Sequence, residues 1–148
     1  MKATTWFRIA FVLMLLFATG HTIGFLTFRA PTADGQAVWT AMQSVQFTVA
    51  HQTFSYGGFY VGFGLCLTAA MLFQAWLTWL LVRMADRGID EARLIAWAMC
   101  ALQIVSIGLS LRYFAAPPAV LSVLEACCYG FGAAKMGSLR RMSNIVRA

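Results

Sequence analysis

The chain has 148 residues, 61% of them hydrophobic and 11% charged, with a mean hydropathy of +0.74 and a formal net charge of +6. Soluble domains carry roughly 25% charged residues, so this composition excludes a soluble globular protein and points to an integral membrane one. The basic surplus suits a chain flanked by anionic lipid headgroups, and no nucleic-acid partner is expected from it.

A membrane-crossing helix takes about 20 predominantly apolar residues, and four stretches qualify: 6–28, 57–82, 94–113 and 119–136. They use almost the whole chain and predict an all-α, integral membrane four-helix bundle, a single domain over residues 1–148. The first stretch has a short basic start, Lys2 and Arg8, and a small-residue segment, Ala18-Thr19-Gly20, as a cleaved signal peptide has. Its apolar character runs on through Ile23, Phe25, Leu26 and Phe28, longer than a signal-peptide core, which favours an uncleaved helix.

The segment from Arg29 to Tyr56 is too long to be a mere connector. Thr32 or Asp34 is placed to cap a short helix, and Val38, Met42, Val45 and Val49 recur at helical spacing beside Trp39. From Val45 onward, Val45, Phe47 and Val49 also alternate with polar or small residues, as in a strand. An ordered lid is expected here, its conformation left open between helix and strand; a headgroup-level anchor fits the same pattern.

Between the second and third stretches lies a charged turn, Arg83 to Arg93, in which Asp90 is placed to N-cap the third helix and Glu91 favours its first turn. Pro117 and Pro118 close a tight turn, Ala115 to Pro118, and open the fourth helix, where a proline loses no hydrogen bond. Small-xxx-small pairs, Gly20 with Gly24, Gly58 with Gly62, and Gly130 with Ala126 and Ala134, predict close backbone approach.

Lys2, Arg8, Arg83, Arg87, Arg93, Lys135, Arg140, Arg141 and Arg147 fall on one side of this layout, and of the 11 basic residues only Arg29 and Arg112 fall on the other. The rule that cytoplasmic loops hold the Lys and Arg excess then places both termini in the cytoplasm and the 29–56 loop on the outer side of the membrane. The four cysteines, Cys66, Cys100, Cys127 and Cys128, all lie in the apolar stretches without a C-x-x-C. Neither a disulfide framework nor a redox centre is expected, and Cys127 and Cys128, pointing about 100° apart on a helix, make a poor metal clamp.

Glu125 is the one acidic residue inside an apolar stretch. An ionised carboxylate in hydrocarbon costs several kcal/mol, so such a residue is usually paired, protonated or turned to a polar cavity. At 1.5 Å per residue, His21 lies roughly 10 Å from the outer end of the first helix and Glu125 the same distance from the outer end of the fourth. Ser106 on the third helix and Gly64 on the second share that depth, with Tyr60 one turn above. Helical spacing aligns Ser122, Glu125, Tyr129 and Gly132 on one face, Gln103, Ser106 and Ser110 on another, and Tyr60, Gly64, Leu67, Met71 and Gln74 on a third. His21, Tyr60, Ser106 and Glu125 are therefore the candidate ligand-binding residues. The partners weighed for Glu125 are His21, then Arg112, which falls on the far side of its helix and is better placed to snorkel to the interface, then a serine or tyrosine hydroxyl.

Gly20-His21-Thr22-Ile23-Gly24-Phe25-Leu26-Thr27-Phe28 and the stretch from Tyr56 to Gly64 read as G-H-T-x-G-F-L-x-F and Y-G-G-F-Y-x-G-F-G. In these motifs the first half of the chain resembles a group of small bacterial membrane proteins of uncharacterised function, and the four-helix layout resembles the DoxX-like membrane proteins. The resemblance implies a fold and a bacterial location; it carries no reaction.

Two functional readings follow. In one, the protein binds a small molecule or lipid at the His/Glu layer, an acid and a base at one depth being able to relay protons, and the partners are membrane lipids and a small apolar ligand. In the other, it is a non-enzymatic accessory or assembly subunit, paired with its own copy or another membrane protein, whose polar layer is interhelical glue worth about 1 kcal/mol per contact. No H-E-x-x-H, P-loop, dinucleotide fingerprint or nucleophile elbow is present, so no reaction or cofactor is assigned. A single buried acid does not make a pore-lining ring, which argues against a channel.

Overall fold

The computed structural model describes residues 1–114 and 116–147, with side chains through residue 137. Ala115 in the expected outer turn, and the side chains of Arg140, Arg141 and Arg147 in the expected basic tail, lie outside the described residues. Five helices and one β-hairpin follow in order: α1 (Ala3–Thr27), α2 (Ala33–Ser44), β1 (Gln46–Val49), β2 (Gln52–Ser55), α3 (Tyr56–Asp86), α4 (Glu91–Tyr113) and α5 (Ala116–Arg147). α1, α3, α4 and residues 116–137 of α5 are each long and apolar enough to cross a membrane, as a multi-pass membrane protein requires. These are the four expected spans.

The chain forms two compact units, residues 1–17 with 72–148, and residues 18–71.

In the 18–71 unit, both conformations weighed for the loop occur, one after the other. Thr32 accepts the N–H of Gly35 at 3.1 Å and starts α2, with Asp34 in the first turn. The helix stops at Val45, and the alternating residues beyond it pair as β1 and β2, antiparallel, in the register Gln46 to Ser55 and Phe47 to Phe54. Ala50 and His51, both in the left-handed backbone region (φ 52° and 65°), form the two-residue turn, a conformation whose twist matches the right-handed twist of the two strands. Ser55 then accepts the N–H of Gly58 at 3.0 Å, capping α3. Phe47 ties hairpin to helix, its ring 4.8 Å from Tyr56 and 5.7 Å from Phe59 between centroids.

The other unit has a core drawn from all four long helices: Phe7 and Ala10 of α1, Leu81 of α3, Ala96 and Met99 of α4, and Tyr129 and Ala133 of α5 pack in one cluster. α3 ends in a Schellman turn, with Gly88 at φ +69° and the Ile89 N–H donating to the Met84 carbonyl at 3.0 Å. Asp90 takes the N-cap position of α4 as expected, but in helical backbone and without a side-chain capping bond, so it does not cap by its carboxylate. Glu91 is in the first turn.

The glycines divide differently from the small-xxx-small expectation. A Cβ added at Gly20, Gly24 or Gly62 would meet nothing within 4 Å among the described residues. The close approaches are instead at Gly64, where a Cβ would strike the Phe25 ring, and at Gly132, where it would strike Phe7. On α5, Gly130 does face a neighbouring helix, 3.6 Å from the Cys100 sulfur by the same measure.

Candidate functional site

Helices α4 and α5 run antiparallel against each other. Arg93 lies on Gly137, Trp97 on Gly130, and the Cys100 thiol donates to the Ala126 carbonyl at 3.4 Å. Each step up α4 is matched by a step down the numbering of α5, so one further turn brings Gln103 level with the Ser122 to Glu125 stretch. Burial agrees with this register. Ser122 and Glu125 are 0% exposed and Gln103 is 2% exposed, and Glu125 is among the largest fully enclosed side chains of the protein.

Both carboxyl oxygens of Glu125, the Ser122 hydroxyl and the Gln103 Oε1 are buried without a hydrogen-bond partner among the described residues. Leaving one buried polar atom unsatisfied costs about 1–3 kcal/mol, and a charged group more. Four such atoms on three side chains concentrate that cost in one place. The two carboxyl oxygens and the Gln103 Oε1 accept hydrogen bonds and the Ser122 hydroxyl both donates and accepts, so the carboxyl end of the cluster suits a group that donates: a hydroxyl, an amine or a proton.

One turn along α5 the polar side chain is satisfied. The Thr78 hydroxyl donates to the Gln74 carbonyl at 2.8 Å. Its single proton being used there, Tyr129 must be the donor in the 2.6 Å bond between the Tyr129 and Thr78 hydroxyls. Thr78, fully buried, extends the α3 stripe of Tyr60, Gly64, Leu67, Met71 and Gln74 by one more step of four. The same spacing of four, carried on from Gln74, is the sequence signal that reaches Thr78.

The candidate residues named from the sequence fall into the two units separately. In the 18–71 unit, His21 is half-buried, its Nε2 donates to the Gly64 carbonyl at 3.2 Å, and its ring packs on Phe25. Thr22 and Thr68 join hydroxyls beside it at 2.9 Å. Tyr60 is 41% exposed and meets Trp39 edge to face at 5.8 Å. In the other unit, Ser106 donates to its own helix at the Leu102 carbonyl, 3.1 Å, and Glu125 stands as described. Arg112 makes no ion pair with Glu125; its guanidinium lies over the Tyr113 ring at 5.6 Å, consistent with snorkelling.

The cysteines are free thiols, Cys100 and Cys128 buried, Cys66 and Cys127 exposed. Among the described residues, no group of three or more His, Cys, Asp and Glu side chains could hold a metal ion. In comparisons with protein-family models, with characterised proteins and with solved structures, nothing matches this chain.

Proposed function

We propose that the chain is a multi-pass protein of the bacterial cytoplasmic membrane, with both termini in the cytoplasm, that binds a small molecule or a lipid's polar group through Glu125. The single observation behind the binding role is the enclosed carboxyl of Glu125 with both oxygens unpartnered among the described residues, one turn from the unpartnered Ser122 hydroxyl. A side chain kept at such a cost is usually kept for what it does, since intramembrane ionisable residues mark ligand and proton pathways. The orientation rests on the bias of Lys and Arg toward one set of loops. The bacterial location rests on the motifs around His21 and Tyr60.

A second reading, that of a non-enzymatic accessory subunit, is favoured by one contact. The Thr78 to Tyr129 hydrogen bond is a fully satisfied polar link between α3 and α5, which is what structural glue looks like. One experiment separates the two. Glu125→Gln keeps the shape and removes the acid; purified beside the wild type in mild detergent, it should keep its helix content and melting behaviour while losing species that co-purify with the wild type, read by mass spectrometry. An unchanged set of co-purifying species sinks the binding reading, and a misfolded Glu125→Gln favours the structural one.

A further inference from the structure

A second feature of the α4 and α5 pair is independent of Glu125. An open groove of about 340 Å³ is lined by Asp90 at the N-cap of α4, by Arg93, Leu94 and Trp97 of α4 and by Met136 and Gly137 of α5. Positions 90, 93, 94 and 97 share one helix face. The α5 wall carries no side chain at Gly137, and the space matters: a Cβ there would sit 3.1 Å from the Arg93 Cζ and Nε, so the glycine is the seat on which the guanidinium rests.

The chemistry of the lining changes over one turn. At one end stands the Arg93 guanidinium, a fork of donors suited to phosphate. At the other are Leu94, 74% exposed, and Trp97, 44% exposed, with Met136 across from them. Basic head next to exposed indole and aliphatic surface is the arrangement of a membrane interface. The turn that leads into α4 adds Arg87, while at the end of α3 Arg83 lies over the Trp79 ring at 4.8 Å and Asp86 is paired with Arg8 at 3.6 Å. Asp90 is engaged in an interaction of its own. The volume is at the low end of the roughly 300–1,000 Å³ typical of ligand pockets, the size of a headgroup rather than of a whole lipid.

We propose that this pocket binds the headgroup of an anionic phospholipid, its phosphodiester on Arg93 and its glycerol and first acyl carbons along Leu94, Trp97 and Met136. A free phosphate would use only the first of these walls. Basic pockets between membrane helices hold anionic headgroups in this manner.

The test uses the full chain in mild detergent, with phosphatidylglycerol or phosphatidylcholine added at equal concentration and bound lipid counted by native mass spectrometry. The wild type should retain phosphatidylglycerol in preference. Arg93→Gln should lower its occupancy about fivefold, the effect of one interfacial charge, while leaving phosphatidylcholine unchanged, and Arg93→Lys should keep most of it. Gly137→Leu, which fills the seat and suits a helix, should lower both lipids. Arg112→Gln, a charge at the other end of α4, should change nothing. Equal retention of the two lipids by the wild type overturns the proposal, as does wild-type phosphatidylglycerol occupancy in both Arg93→Gln and Gly137→Leu. Displacement of the lipid by an equal concentration of inorganic phosphate overturns it too, by reducing the site to an anion contact.

Discussion

Tyr129 and Glu125 stand one turn apart on α5, both enclosed to 0% exposure, and the regions around them treat a buried polar group in opposite ways. Around Tyr129 every polar atom named has a partner: its hydroxyl reaches Thr78, Thr78 reaches Gln74, and Phe7 fills the groove left by Gly132 beside them. Around Glu125 the burial is as deep and the oxygens have no partners among the described residues. The same helix, in the same stretch, thus shows that satisfying a buried hydroxyl is feasible here. The unsatisfied turn is then a property of that site and is not forced by the fold.

The contrast gives stability to the region around Tyr129 and leaves the region around Glu125 to the binding role proposed above, and stability measurements can break it. Phe7→Ala should have the largest effect, opening a cavity against Gly132 and costing about 3 kcal/mol, at the low end for such truncations because lipid and core are equally apolar. Thermal or chemical unfolding in detergent reads this directly, and a loss under about 1 kcal/mol would move the stable region elsewhere. Glu125→Met should act in the opposite direction. It replaces unpartnered oxygens by an apolar chain of similar length and should raise stability by about 1–3 kcal/mol while abolishing binding. If Glu125→Met destabilises the protein instead, the carboxyl is holding helices together and the comparison fails.

The sequence made the long helices legible because hydropathy over 20 residues is a large signal, and each span lies within a few residues of the apolar part of its helix, although α5 runs on to Arg147. The face of α5 was legible too: Ser122, Glu125, Tyr129 and Gly132, aligned by spacing alone, are all buried. Rotation and pairing were not. Rise per residue sets the height of Glu125 along its helix but says nothing about which neighbouring side chain turns toward it. Small-xxx-small spacing likewise permits close approach without naming who approaches. Gly64 and Gly132, outside those pairs, take the ring contacts, while Gly20 and Gly24 take none among the described residues. The hairpin after Val45 escaped a firm reading because its turn is Ala50-His51, where the usual Asn-Gly signal is missing.

The smallest expected effect is the most discriminating. Tyr129→Phe removes a hydroxyl proton donated to Thr78 and leaves no new unsatisfied group, because Thr78 still donates to Gln74. The cost should be about 1 kcal/mol, the net worth of one hydrogen bond. Combined with Glu125→Met it should add to within about 0.5 kcal/mol, as independent sites do. The two side chains are close enough to couple if they share a network, so a larger deviation would join the satisfied and unsatisfied turns into one polar system. Additivity would leave Thr78 and Tyr129 as local glue, and Glu125, Ser122 and Gln103 as a separate site whose burial serves something other than holding the helices together.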